Sequence, residues 1–421
     1  MDRARVTRAG VALAPAARVM ARCDELARIS SAEGGIERVY LSPEHARVNR
    51  LVAEWMREAG MTTRQDAAGN LIGRAGPAAG EAPALVLGSH LDTVPDAGRY
   101  DGIAGVLMAI EVVRALRAEA LPFALEVVAF WDEEGTRFGR ALLGSSAAAG
   151  VWDSAWWELR DAAGTTLREA FLEFGLDPGR IGDAARAPGD LVGYLEAHIE
   201  QGPELDEGDE PLAVVSSIAS ARRFRLDIAG EARHAGGTPY DRRRDALLGA
   251  AEIALAVERV CRAEHHIVGT VGELQIHPGA INVVPGDAYL SLDLRGEFDG
   301  DRDRVWRVIQ DEVAQVTARR GLTWSSREVH EASAMFCDPL LQGVVGEGIR
   351  SVSPFRSGEA PTLFSRAGHD GMAFATVTGV GMLFLRNPDG ISHHPDEAVS
   401  AADVDLGIRA LGAAVRARAT A

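Results

Sequence analysis

Ala84-Leu85-Val86-Leu87 is a run of four apolar residues with no polar alternation, the pattern of a strand covered on both faces. Leu125 to Phe130 reads as a second such strand, and Leu191-Val192-Gly193-Tyr194-Leu195 and Gly381-Met382-Leu383-Phe384-Leu385 are further buried runs. Helical spacing of apolar residues separates them. Val48, Leu51, Val52, Trp55 and Met56 mark one helix within 44–60, and Ile103, Val106, Ile110 and Val113 mark another within 101–116. Gly69-Asn70 marks a turn between them. Strands alternating with helices predict an α/β domain with a largely parallel sheet.

The middle of the chain differs. Phe224, Leu226 and Ile228 alternate with polar residues, so that strand has one wet face. A helix over about 243–260 follows, then strands near 266–276 and 288–295. A second amphipathic helix (Val305, Val308, Ile309, Val313, Val316) leads to a last strand near 322–330. This β-α-β-β-α-β order is that of a ferredoxin-like α+β unit. The expected organisation is an α/β domain of residues 1–213 and 332–421, with a compact domain, 214–331, inserted at a loop.

A length of 421 residues accommodates two or three domains. The net charge of −17, with Arg as the sole strongly basic residue, argues against a nucleic-acid or anionic-membrane partner. Cys23, Cys261 and Cys337 are too sparse for a disulfide framework and form no CxxC pair, which fits a reducing cytosol. The first 30 residues carry no continuous apolar segment of a signal peptide, and no run approaches the roughly 20 residues that span a bilayer. A cytoplasmic protein is expected.

Chemistry gathers where the buried strands end. Gly88-Ser89-His90-Leu91-Asp92 brings a His and an Asp out at the C-terminal edge of the first strand, where open α/β sheets bind ligands. Asp101 opens the next helix, and Asp132-Glu133-Glu134 follows the second strand. His198, in His-Ile-Glu-Gln-Gly-Pro, and His393, in Gly-Ile-Ser-His-His-Pro, follow further buried runs. Alone, each has a commonplace reading as a hydrogen-bonded core histidine or a solvated acid. Together they would crowd several carboxylates unless cations lay between them. Imidazole and carboxylate donors without thiolates suit Zn²⁺ or Mn²⁺, and one shared carboxylate would make a two-metal hydrolytic centre.

The motifs GSHLDTVPDAGRYDG (88–102), DEEGTRFG (132–139), HIEQGP (198–203), HAGGTP (234–239), PGAINVVPG (278–286), AGHD (367–370) and GISHHPDE (390–397) carry a wider likeness. The chain resembles the di-metal amidohydrolases of the aminoacylase/carboxypeptidase-like superfamily, in the allantoate amidohydrolase and N-carbamoyl-L-amino-acid hydrolase branch. The resemblance implies a metallopeptidase-like α/β catalytic domain with an inserted dimerisation or lid domain. It implies that His90 and His198 hold one metal, that Glu134 and His393 hold the other, and that Asp101 bridges them. Zn²⁺ or Mn²⁺ is expected, with Co²⁺ also compatible. Asp92 would orient His90, and Glu133 would be the general base.

The resemblance also gives the inserted domain a task. Leu290, Leu292 and Leu294 share one face of a strand, which puts Asp293 and Arg295 on the other, with Arg295 free to bind a substrate carboxylate. Asn282 and Gln201 could donate to and accept from a ureido group. His234, beside Ala235-Gly236-Gly237, is implied to stabilise the oxyanion from the partner of a homodimer. His369 lies in a motif near the substrate. Arg233, Tyr240 and Arg366 depart from the family pattern, and Arg366 adds bulk and charge near the substrate.

A ureido acid is the expected substrate, allantoate first, with N-carbamoyl-L-amino acids or 3-ureidopropionate as alternatives. An N-acyl amino acid, or a non-catalytic relative that keeps only the fold, ranks below these.

Overall fold

The four buried runs become four neighbouring parallel strands. The computed structural model describes residues 13–76, 82–352 and 359–421. Within it, Ala124–Phe130, Ala84–His90, Leu191–Ile199 and Val380–Leu385 lie side by side in that order, all parallel. Residues 84–90, 124–130 and 380–385 are buried throughout, as a sheet covered on both faces requires. Antiparallel strands flank this centre: Leu71–Ala75, then Thr62–Gln65, on one side, and Leu212–Ile218 on the other. Parallel pairing is what aligns the C-terminal ends of Ala84–His90, Ala124–Phe130 and Leu191–Ile199 along one edge.

Helices Pro15–Leu26, Ile103–Leu116, Pro339–Val352 and Ala401–Thr420 contribute to the core that covers the sheet. Ile103–Leu116 comes closest. A β-carbon on Gly105 would lie 2.1 Å from the carbonyl oxygen of Ala197, so only glycine permits that approach.

The described residues divide into two compact units. The first runs to Ser216 and takes up Cys337–Leu363 and His369–Ala421; the second holds Ser217–Phe336 and Phe364–Gly368. These bounds differ from the expected 214 and 331 by a few residues, and 364–368 was not anticipated. It joins the second unit through bonds to its carbonyls: the Ala219 amide donates to Ser365 O at 2.8 Å, and the Arg295 guanidinium Nη1 donates to Arg366 O at 2.8 Å.

The second unit is an antiparallel sheet in the order Leu274–His277, Asp287–Gly296, Ser220–Ala229, Thr323–Ala332. Helices Ala246–Arg262 and Asp299–Arg320 pack on the face carrying Phe224, Leu226, Ile228, Leu290, Leu292 and Leu294, with Phe224 stacked on Trp306 at 3.8 Å. The β-α-β-β-α-β order is present. The strand expected over 266–276 is instead two, Ile267–Thr270 and Leu274–His277, both paired to Asp287–Gly296. Three residues, 271–273, oppose two, 291–292, so a bulge breaks the ladder there, and Glu273 N donates to the Ser291 hydroxyl at 2.9 Å.

Among the described residues no helix is long and apolar enough to cross a membrane. The expectation about the first 30 residues rests partly on residues 1–12, which lie outside those described.

Candidate metal centre

Asp101 is the pivot of the site. Its segment follows the exit of strand Ala84–His90, and Gly102 (φ +66°) turns the chain into helix Ile103–Leu116. One carboxylate oxygen, Oδ1, lies 3.2 Å from His198 Nε2 and 3.8 Å from His90 Nε2. The other, Oδ2, lies 3.1 Å from His393 Nε2, which is 3.3 Å from Glu134 Oε1. The two oxygens thus face two separate donor sets. Each set, His90–Asp101–His198 and Asp101–Glu134–His393, has its nearest donor atoms within 4.8 Å of one another.

The residues around this pivot fix the ligand atoms. His198 Nδ1 is 2.9 Å from Ile199 O, and His90 Nδ1 is 3.1 Å from Asp92 O, so in both rings the proton belongs on Nδ1 and Nε2 is the free donor atom. For His90 the nearer partner is the main-chain carbonyl of Asp92, its carboxylate standing 3.7 Å away. That carboxylate instead accepts the backbone amides of Glu133 at 3.2 Å and Glu134 at 3.1 Å, fixing the Glu-Glu turn. Of the adjacent pair His393 and His394, the first reaches Asp101; the second accepts from the Asp396 amide at 3.1 Å.

The electrostatics follow from the crowding of buried acids and imidazoles. Burial raises Glu133 well above the usual carboxylate range, and the charges of Glu134, Asp370, Asp92 and Asp101 add to it. Burial alone would raise Asp101 too, but the imidazoles of His198 and His393 outweigh it and hold it well below that range. Burial lowers His198, yet Asp101 pulls it up to about 9. Asp101 and Glu134 raise His393 to about 10. Asp101 Oδ1 is buried and accepts no hydrogen bond, and the surrounding nitrogens and carboxylates are the donor set of Zn²⁺ or Mn²⁺, so the residues fit a two-cation site.

Other expected residues lie elsewhere or differently engaged. Gln201, held at φ +57°, donates its side-chain amide to Asp101 Oδ2 and to the Ser392 hydroxyl, both at 3.1 Å, so it is committed to the centre. His369 is buried edge-on against His198, with ring centres 4.4 Å apart, and burial holds it well below the usual imidazole value. Arg295 is on the open strand face but is not free. Its fork makes two 3.1 Å bonds to Asp293, two positions back on the same face. Arg366 lies over the Phe364 ring.

His234 and Asn282 come together in the second unit, on neighbouring segments where Ala235 N donates to Asn282 O at 2.9 Å. His234 Nδ1 accepts the Gly237 amide at 3.0 Å, which leaves Nε2–H as an exposed donor. Arg233 is paired with Glu231 at 2.6 Å.

Two further buried acids, not anticipated from the sequence, bond to segments of the centre. Glu397 Oε1 accepts the amides of Tyr100 (2.8 Å) and Asp101 (3.0 Å) while Oε2 accepts the Ser392 hydroxyl at 3.0 Å, binding both sides of the centre. It closes the motif GISHHPDE, where a signal existed. Glu196, an acid inside an apolar run, is bonded to Ser89 and Tyr194 at 2.9 Å each.

Residues 86–417 match the Peptidase family M20/M25/M40. Over 382 residues the chain is 39% identical to the N-carbamoyl-L-amino acid amidohydrolase of Geobacillus stearothermophilus, covering 90% of this chain and 92% of that one. It is 37% identical over 414 residues to the allantoate deiminase of Arabidopsis thaliana, covering 91% and 79%. Among solved structures, a hydantoinase/carbamoylase family amidase from Burkholderia multivorans superposes with TM-score 0.86 at 32% identity, covering 96% of this chain and 98% of that one.

Proposed function

The chain belongs to the peptidase family M20/M25/M40, and on that footing we propose that it hydrolyses a C–N bond of a ureido acid, with allantoate as first substrate. An N-carbamoyl-L-amino acid is the second reading, favoured by the relative at 39% identity. The observation that carries the proposal is the division of the Asp101 oxygens between two ligand sets, with Glu133 beside Glu134.

Two divalent cations, Zn²⁺ or Mn²⁺, would be held by His90 and His198 on one side, Glu134 and His393 on the other, and Asp101 between, and would supply charge to polarise the ureido carbonyl and acidify water. The chain's own residues do the rest. Glu133 takes a proton from the attacking water and passes it to the leaving nitrogen. Asp92 keeps Glu133 and Glu134 in place through their amides. The exposed Nε2–H of His234 is the oxyanion donor, supplied in a homodimer by the partner subunit's His234. Arg295, Asn282, Gln201, Arg366 and His369 are the substrate-contacting set, and Arg295 must exchange part of its hold on Asp293 for the substrate carboxylate. The carbamate product decomposes to ammonia and carbon dioxide. Cytoplasmic residence and an inserted domain that serves dimerisation belong to the same reading.

Hydrolysis by Mn²⁺- or Zn²⁺-loaded protein tests it, read by ammonia release on allantoate, several N-carbamoyl-L-amino acids and 3-ureidopropionate, and by free amine on N-acetyl amino acids. Selective turnover of allantoate supports the first reading. Turnover of carbamoyl amino acids supports the second, and turnover of acetyl amino acids alone overturns both.

A further inference from the structure

On the open face of the second unit's sheet, Arg225 of strand Ser220–Ala229 stands directly opposite Arg327 of strand Thr323–Ala332. Like charges directly opposed across two strands destabilise the pairing. Asp227 offsets only Arg225, through a 2.8 Å bond to Nε, while the Arg225 guanidinium lies 3.9 Å over the Tyr289 ring. Arg327 has no carboxylate partner among the described residues. Two positions along, on the same face, Arg223 shares the Asp293 carboxylate with Arg295.

Apart from Asp227, these side chains line a groove of about 850 Å³. It gathers five guanidinium groups, those of Arg223, Arg225, Arg295, Arg327 and Arg366, against two carboxylates, Glu273 and Asp293. That local excess of positive charge sits in a chain of net charge −17. The Ser291 hydroxyl, across from Arg225, lies on the same face. The volume is that of a small-molecule site.

We propose that this groove binds a small carboxylate- or phosphate-bearing molecule, with Arg225 and Arg327 gripping the acidic group and Arg223 beside them. Planar guanidinium forks bind such groups through paired hydrogen bonds, and an anion between the two arginines turns their repulsion into attraction. The anion is either a free metabolite or the distal acidic group of the substrate.

Calorimetric titration of inorganic phosphate and of glutarate, at constant ionic strength, tests the groove without reference to catalysis. Wild type is expected to bind one of the two probes at one site per chain. Arg327→Gln should weaken it at least tenfold, and Arg225→Gln/Arg327→Gln should abolish it. Arg304→Gln, which removes a charge paired with Glu264 on a helix of the same unit, should leave it unchanged. Without anion, Arg327→Gln should melt no lower than wild type, since it removes an opposed charge, and only wild type should gain melting temperature on adding the probe. A second arm, which rests on the proposed hydrolase, compares KM for N-carbamoyl-L-glutamate and N-carbamoyl-L-norvaline. A tenfold rise in Arg327→Gln for the acidic substrate alone identifies the anion as part of the substrate. An unchanged ratio with probe binding intact in wild type identifies a free anion. Equal binding by wild type and the double variant, or no binding of either probe together with an unchanged substrate ratio, overturns the proposal.

Discussion

A β-carbon on Gly102 would lie 2.4 Å from Cδ2 and Nε2 of His90, so the glycine after Asp101 makes room for the imidazole that faces it. Its φ of +66° adds a second reason for glycine, because side chains are strained there. Gly102→Ala is therefore expected to displace His90 or Asp101 and to lower both bound metal and turnover at least tenfold. Gly412→Ala, in helix Ala401–Thr420 with nothing within 4 Å of its β-carbon, should leave both unchanged. Elemental analysis and ammonia release read the two together.

Glu133 and Asp101 should separate cleanly. Glu133→Gln is expected to lower kcat by roughly 10²–10⁴-fold, the usual worth of a general base, with metal content as in wild type. Asp101→Asn should lose metal as well as activity, because it weakens both ligand sets at once. His90, Glu133 and Glu134 also cluster, so loss of metal from Glu133→Gln would make Glu133 a ligand rather than a base. A chelator should abolish activity in wild type, and Zn²⁺ or Mn²⁺ should restore it.

Glu397 holds the amides of Tyr100 and Asp101 and the Ser392 hydroxyl. Groups that orient metal ligands in this way typically cost about 10–100-fold when altered. Glu397→Gln keeps one acceptor and should weaken metal binding within that range; competition with a chromogenic chelator measures it. An affinity equal to wild type would reduce Glu397 to a loop anchor.

His45 gives the protein an acid-sensitive element away from the centre. It is buried, stacked on Trp131 at 3.7 Å, and its Nδ1 accepts the Leu41 amide at 3.1 Å. Burial lowers it to about 3. Above the unfolded value of about 6.5, neither state carries the extra proton and His45 adds no slope. As the pH falls from there towards 3, the unfolded chain takes a proton that the folded one refuses, so stability falls, by about 3–5 kcal/mol across the window. Urea unfolding of His45→Gln should show lower stability at pH 8 and a shallower loss between pH 6.5 and 4. An unchanged slope would assign the acid sensitivity to other groups.

Much of this was legible in local pattern. Ala84–Leu87 and its three counterparts show no alternation, and they occupy the doubly covered centre of the sheet. The residues at or beyond the ends of those runs, His90, Asp101, Glu134, His198 and His393, are the ones the fold brings within reach of one another. Arg295 shows what a stricter reading would have caught: Asp293 two residues away shares its face, so the fork already had a partner. The break at 271–273 depends on register against 291–292, which no single strand pattern displays.

The sequence by itself determined which apolar runs form the doubly covered strands, which faces are apolar, and which residue types stand at those strand exits. Those are consequences of spacing along the chain, since a strand repeats every two residues and a helix every 3.6. Only the tertiary structure decided the partnerships between distant segments: Glu397 with the Asp101 amide, residues 364–368 with the second unit, Arg225 opposite Arg327, and the two oxygens of Asp101 facing different ligands. Each depends on the order in which strands pair and on the register they adopt. Packing of the whole chain fixes that order and register, and a carboxylate that finds its amide 296 residues away leaves no trace in its own neighbourhood.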